Sequence, residues 1–248
     1  MDSVKIGVCD WGIGGLGFFR TLQTARPDLD VTYLGDQGFL PYGRVPTHEL
    51  TQRMTQLAEW FRDRSVTQLV VACNAASTVL PKVHVSGIQL TGVIAPTINI
   101  LLLDSTSIGI IGGRRTILSQ AYRKPLVARG ISVAQRVAQP ISGLIEAGKA
   151  NDEETHELLR NILRPIRNSE RLVLACTHYI VLEDVVREYM PSSTIIDPAT
   201  EVWRQLEANL PEPTDHIGHY DFFTSGDSSQ MEEQALRTFG VSAKVSPW

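Results

Sequence analysis

An internal repeat constrains this sequence more than any other feature. Ile6-Gly7-Val8 returns 102 residues later as Ile108-Gly109-Ile110. The apolar stretch that opens at Val31 meets its counterpart at Val133, at the same offset. Val70-Val71-Ala72-Cys73 returns after 103 residues as Val173-Leu174-Ala175-Cys176, and Ile94-Ala95-Pro96 after 102 as Ile196-Asp197-Pro198. Strands of unrelated parallel sheets look alike, but their offsets would scatter. Four landmarks in one order at nearly one spacing predict two similar halves.

Short apolar runs at 5–8, 31–34, 69–72, 89–94, 107–111, 132–137, 172–175 and 194–196 read as strands. Amphipathic stretches between them, such as 49–64, 153–166 and 182–189, read as helices. This alternation predicts an α/β fold of βαβ units, with two doubly wound, mostly parallel sheets. A further strand at 221–224 lies beyond the second half and is expected to return to the first. The expected division is therefore 1–95 plus 205–248 for a discontinuous first domain and 96–204 for the second, with a cleft between them. In open parallel sheets ligands bind at the carboxyl ends of strands. Cys9-Asp10, Cys73-Asn74 and Cys176-Thr177-His178 all fall at such ends.

Composition excludes several classes of function. A net charge of −4 offers no basic excess to meet phosphates, so no nucleic-acid partner is expected. No apolar run approaches the roughly 20 residues that span a bilayer, and no signal-peptide pattern precedes the first strand, so the expected location is cytoplasmic. The three cysteines, Cys9, Cys73 and Cys176, form neither a disulfide framework nor a C-x-x-C pair, and no metal site is expected.

The repeat places Cys73 and Cys176 at equivalent strand ends, on opposite walls of one cleft. Inverting a stereocentre by proton transfer needs a base on one face and an acid on the other. Two groups of one kind serve both directions by exchanging protonation states. Thiols suit the task, with an unperturbed pKa of about 8.5 that surroundings adjust. A helix starting just after each cysteine would favour the thiolate through its free N–H groups. Asp10 and His178 are polar neighbours able to hold or relay protons. A free cysteine is more often a small buried hydrophobe, and Cys9, whose repeat partner is Ile111, is read that way.

At this point the chain resembles glutamate racemases and the wider aspartate/glutamate racemase family. The resemblance rests on Ile6 to Leu16, Gly35-Asp36 with Pro41-Tyr42-Gly43, and Val71-Ala72-Cys73-Asn74-Ala75-Ala76-Ser77. It continues through Gly109-Ile110-Ile111-Gly112 with Thr116, Ser119 and Tyr122, then Leu144-Ile145-Glu146-Ala147-Gly148, then Ala175-Cys176-Thr177-His178-Tyr179. These segments follow the family's order over nearly the whole chain. The resemblance implies two domains with pseudo-twofold symmetry, no cofactor, a small amino-acid substrate, a homodimer and a place in peptidoglycan biosynthesis. It implies Cys73 and Cys176 as the proton-transfer groups, Asp10 assisting Cys73, and His178 and Glu146 assisting Cys176. Pro41, Tyr42, Gly43, Asn74, Thr116 and Thr177 match substrate-holding positions. So do Trp11 and Ala75, but there the family has serine and threonine. Each lost hydroxyl weakens head-group binding by about 1 kcal/mol or more, and the indole is far larger than the group it replaces. The segment Gly92-Val93-Ile94-Ala95-Pro96-Thr97 also lacks the family's glutamate before proline. Either a shifted substrate preference or a weakened glutamate racemase follows from these departures.

Other readings compete. Gly12-Ile13-Gly14-Gly15-Leu16-Gly17 fits G-x-G-x-x-G after a strand, with Asp36 as the acidic partner of an NAD(P) site. Asp10 and Trp11 intervene before the first glycine, and an anionic Asp10 would repel a pyrophosphate. Isomerases of small diacids, and a partner-binding paralogue without activity, are the remaining alternatives. His216-x-x-His219 reads as a surface loop, Arg114-Arg115 as an anion contact or a solvated pair, and Trp60-Phe61 as core or interface.

Overall fold

The computed structural model describes residues 4–248. Among these residues, ten strands form two sheets in which every pairing is parallel. The strands are β1 Lys5–Asp10, β2 Asp30–Gly35, β3 Gln68–Val71, β4 Gln89–Gly92, β5 Ser107–Gly112, β6 Ser132–Val137, β7 Arg171–Ala175, β8 Thr194–Ile196, β9 Tyr220–Thr224 and β10 Val245–Pro247. The six-stranded sheet has the order β10-β9-β2-β1-β3-β4 and the four-stranded sheet β6-β5-β7-β8.

The repeat is therefore a repeat of topology. The order β2-β1-β3-β4 recurs as β6-β5-β7-β8. Cys9 pairs with Val71 between β1 and β3, and Ile111 pairs with Leu174 between β5 and β7. Strand order reverses at β1 in one sheet and at β5 in the other. Crevices open beyond the carboxyl ends of strands at such switch points. β9 and β10, from the tail, extend the first sheet beyond β2.

Both faces of each sheet are covered, which is why β1 and β5 are almost wholly buried and read as continuous apolar runs. One core joins Ile6, Val8 and Val70 of the first sheet with Ile108, Ile110 and Val173 of the second. Helices Ile94–Asp104 and Pro198–Glu207 contribute Leu101, Val202 and Trp203 to it. The opposite face of the first sheet packs Leu50, Met54, Leu57 and Phe61 from helix Thr47–Arg62. That of the second packs Leu159 and Leu163 from helix Glu153–Leu163.

Two local expectations are corrected, and one strand escaped the sequence reading. The run 89–94 stops as a strand at Gly92, and Ile94 already belongs to a helix. A continuous apolar stretch carries no periodicity to separate the two states. Tail strand β10 is only three residues long at a sheet edge, with one buried residue, and has no readable pattern. No α-helix starts directly after Cys176. A short 3-10 turn, Tyr179–Leu182, intervenes, whereas Cys73 is itself the N-cap of helix Asn74–Ser77.

Candidate active site

The loops that leave β1, β2 and β3 face those that leave β5, β6 and β7 across one cavity of about 610 Å³. That is an ordinary size for a small-molecule site. All thirteen residues named from the sequence line it: Asp10, Trp11, Pro41, Tyr42, Gly43, Cys73, Asn74, Ala75, Thr116, Glu146, Cys176, Thr177 and His178. Each half delivers its cysteine just past the strand beside its switch strand, Cys73 after β3 and Cys176 after β7.

The two thiols sit in different electrostatic surroundings. Burial pushes the Cys73 thiol well above the ordinary cysteine range, and the neighbouring Asp10 carboxylate pushes it further. The N–H groups of Ala76 and Ala75 act the other way but are outweighed. The short helix behind Cys73 thus fails to make it a resting thiolate, contrary to the sequence expectation. Cys176 Sγ lies 3.8 Å from His178 Nδ1. His178 Nε2 lies 2.9 Å from Glu146 Oε1. That contact is close but poorly aligned for a hydrogen bond, so charge rather than directionality holds it. Burial disfavours a charged His178, but its contacts with Cys176 and Glu146 outweigh burial and bring its pKa up to about 10. His178 is therefore an imidazolium at neutral pH, beside Cys176.

Asp10 links the halves. Its Oδ1 accepts from the Trp11 backbone N–H at 2.7 Å, and its Oδ2 from Thr177 Oγ1 of the second half at 2.8 Å. Burial raises its pKa despite the opposing effects of His178, Thr177, Trp11 and Cys73. The crossing is possible because residue 14 is glycine. A Cβ there would stand 2.2 Å from Thr177 Oγ1 and 2.9 Å from Asp10 Oδ2. Thr177 thus occupies the space beside Gly14 where the dinucleotide reading would put a pyrophosphate.

The remaining residues are fixed with similar economy. Tyr42 lines the cavity while its hydroxyl donates to Asp36 Oδ2 at 2.7 Å. Asp36 is fully buried and also accepts from Arg53 Nε at 2.8 Å and Ser225 Oγ at 2.7 Å. It is a buttress beneath the Pro41–Gly43 loop, not a ribose ligand. Asn74 Oδ1 accepts from Tyr122 across the halves at 2.7 Å. Trp11 lines the cavity rather than filling it, with its indole N–H donating to Phe39 O at 3.0 Å. Cys9 is 1% exposed and packs in the core.

Sequence reading missed Arg44, Gln139 and Ser142 among the lining residues. These lie in loops and helix faces that carry no motif. Arg115 is half-buried and committed to backbone rather than to an anion: its Nε donates to Tyr42 O at 2.9 Å, and its Nη2 to Val45 O, across the cleft. His216 and His219 pair separately with Asp30 and Asp221. No cluster of three or more metal-ligating side chains occurs among the described residues, and no described helix is long and apolar enough to cross a membrane.

Known proteins share this chain's sequence pattern and fold. The Asp/Glu/hydantoin racemase family matches residues 20–206. A glutamate racemase of Latilactobacillus sakei subsp. sakei is 30% identical over 249 residues, covering 95% of this chain and 90% of the relative. One from Microcystis aeruginosa is 31% identical over 258 residues, covering 97% and 89%. Among solved structures, glutamate racemase isoform RacE1 of Bacillus anthracis superposes with a TM-score of 0.90 at 28% identity, covering 99% of this chain and 97% of the other. The Thermus thermophilus glutamate racemase, solved with beta-chloro-D-alanine, gives 0.88 at 28%, with coverage of 99% and 97%. Full-length similarity in sequence and fold, around a cavity that joins both halves of the repeat, shows that the chain belongs to the Asp/Glu/hydantoin racemase family.

Proposed function

We propose that this protein interconverts L- and D-glutamate without a cofactor, using Cys73 and Cys176 as a pair of proton-transfer groups. The observation that carries the reading is the placement of two thiols at repeat-equivalent strand ends on one cavity. The names of the relatives supply the substrate.

In one direction Cys176 takes the Cα proton, with its negative charge opposite the His178 imidazolium. Cys73, held protonated by burial and by Asp10, gives its proton to the other face of the planar carbanion. The Cα–H bond breaks on one side, a new one forms on the other, and the thiols exchange states. The reverse direction starts from that exchanged state. There Cys73 acts as the base beside Asp10, and Cys176 as the acid beside His178. Glu146 holds His178, and Thr177 holds Asp10, so each thiol has a positioned partner.

The proposal includes two domains, 1–95 with 205–248 and 96–204, closing on the substrate. It also includes a cytoplasmic homodimer that supplies D-glutamate for peptidoglycan. A second reading, a related acid as substrate, is favoured by the apolar wall that Trp11 and Ala75 present in the cavity.

Chiral chromatography of L-glutamate and of D-glutamate incubated with the protein tests the proposal. Both should converge on a racemic mixture, and Cys73→Ser and Cys176→Ser should each slow convergence by several hundredfold or more, roughly the effect of losing an acid or base. Unchanged rates in both variants would reject the thiol pair.

A further inference from the structure

Three arginines line the cavity, and they are not equivalent. Arg115 is committed to the carbonyls of Tyr42 and Val45. Arg44 and Arg114 are exposed at the rim, and neither guanidinium has a hydrogen-bond or ion-pair partner among the described residues. They come from opposite halves, Arg44 from the loop after β2 and Arg114 from the first residue of the helix after β5.

Gln139 shows that their backbones adjoin. Its Oε1 accepts from the Arg114 backbone N–H at 3.0 Å. The same oxygen stands 3.4 Å from where a Cβ would sit on Gly43, and 3.1 Å from one on Gly113. The residue before each arginine thus flanks one amide oxygen, and the two side chains rise from neighbouring points across the cleft.

Helix Gln139–Glu146 then relates this rim to the thiols. Gln139 is its first residue and Glu146 its last, about 10 Å apart along the axis at about 1.5 Å per residue. Ser142 and Gly143, between them, also face the cavity. The helix runs along the cavity from two unpaired guanidiniums to the Glu146–His178–Cys176 group. Trp11 and Ala75, on the first half's side, add no charge.

We propose that Arg44 and Arg114 form a clamp for the side-chain carboxylate of an acidic amino acid whose Cα lies at the cysteines. The clamp rests on the racemase reading above and names the feature by which that site selects its substrate. A carboxylate is the matching ligand because guanidinium offers only donors, in a fork that fits two oxygens. The acids that line the cavity are already engaged, Asp10 with Thr177 and Glu146 with His178. Two like charges rooted at neighbouring backbone positions repel when both turn into the cavity, and a bound anion relieves that repulsion. The clamp also supplies polar holding that Trp11 and Ala75 do not.

Binding and exchange test the clamp separately in wild type, Arg44→Gln, Arg114→Gln and the double variant. Calorimetry with glutarate, a dicarboxylate without a reactive Cα stereocentre, should show weakening of roughly fivefold for each single variant and about twentyfold or more for the double. Butyrate, with one carboxylate, should bind wild type more weakly than glutarate and lose less than about twofold in the double variant. In Cα deuterium exchange, the preference for glutamate over glutamine should fall in the double variant by a factor like that seen with glutarate. Equal glutarate binding in wild type and double variant would overturn the clamp, as would glutarate binding wild type no better than butyrate. If wild type exchanges no amino acid, the racemase reading fails, and the glutarate comparison still decides the clamp.

Discussion

Replacing Gly14 by alanine should separate the two halves of the site, and the structure gives the size of the effect. The new methyl would lie 2.2 Å from Thr177 Oγ1, 2.8 Å from Thr177 Cβ and 2.9 Å from Asp10 Oδ2. Gly14 is not at positive φ, so the penalty is steric rather than conformational. Relief requires Thr177 to move, which breaks its 2.8 Å bond to Asp10. Losing a hydrogen bond to a buried carboxylate costs about 1.5–3 kcal/mol. Residual overpacking adds about 1–3 kcal/mol. Gly14→Ala should therefore lower the unfolding free energy by roughly 2.5–6 kcal/mol, read from urea denaturation. Thr177→Gly removes both offending Thr177 atoms. In the double variant the two losses should be sub-additive by about 1–3 kcal/mol, as expected for residues in contact. A loss below about 0.5 kcal/mol for Gly14→Ala, or strictly additive losses, would refute the reasoning.

Three further outcomes follow from the same geometry. Arg53→Met strands the fully buried Asp36 carboxylate with only Tyr42 and Ser225, and should cost about 3–5 kcal/mol in urea denaturation. The pKa of His178 is raised by folding to about 10, so its contribution to stability is fully present below the unfolded value near 6.5 and is lost as pH rises through 10. The melting-temperature difference between wild type and His178→Gln should therefore shrink steadily from pH 6.5 to 10.5, and a difference that grows over that range would contradict it. Trp11→Ser with Ala75→Thr should raise kcat/KM for glutamate by roughly tenfold or more, from two added polar contacts of about 1 kcal/mol each. An unchanged ratio to other amino acids would mean that those positions do not hold the substrate.

Much of this was legible in the sequence because the sheets are covered on both faces. Such strands become continuous apolar runs, and those around Ile6, Val70, Ile108 and Val173 stand out at nearly one offset. A short polar or thiol residue after each run marks the strand end, which is where the switch points place the cavity. What stayed hidden depends on packing between halves. Nothing near Arg115 announces that it ties down Tyr42 and Val45, and nothing near Thr177 announces that it bonds Asp10 through the opening left by Gly14. The unequal thiols were also invisible. The repeat gives Cys73 and Cys176 equivalent places after β3 and β7, but an acid stands beside one and an imidazolium beside the other.

The most direct test of two-base transfer is the fate of the Cα hydrogen in heavy water. L-glutamate would be converted to a small extent in D2O, and the two enantiomers separated and weighed by mass spectrometry. Removal on one face and delivery on the other predict that D-glutamate carries solvent deuterium while the remaining L-glutamate keeps its protium, with the mirror result from D-glutamate. Deuterium appearing in recovered substrate as fast as in product would contradict it, because one group would then be serving both faces.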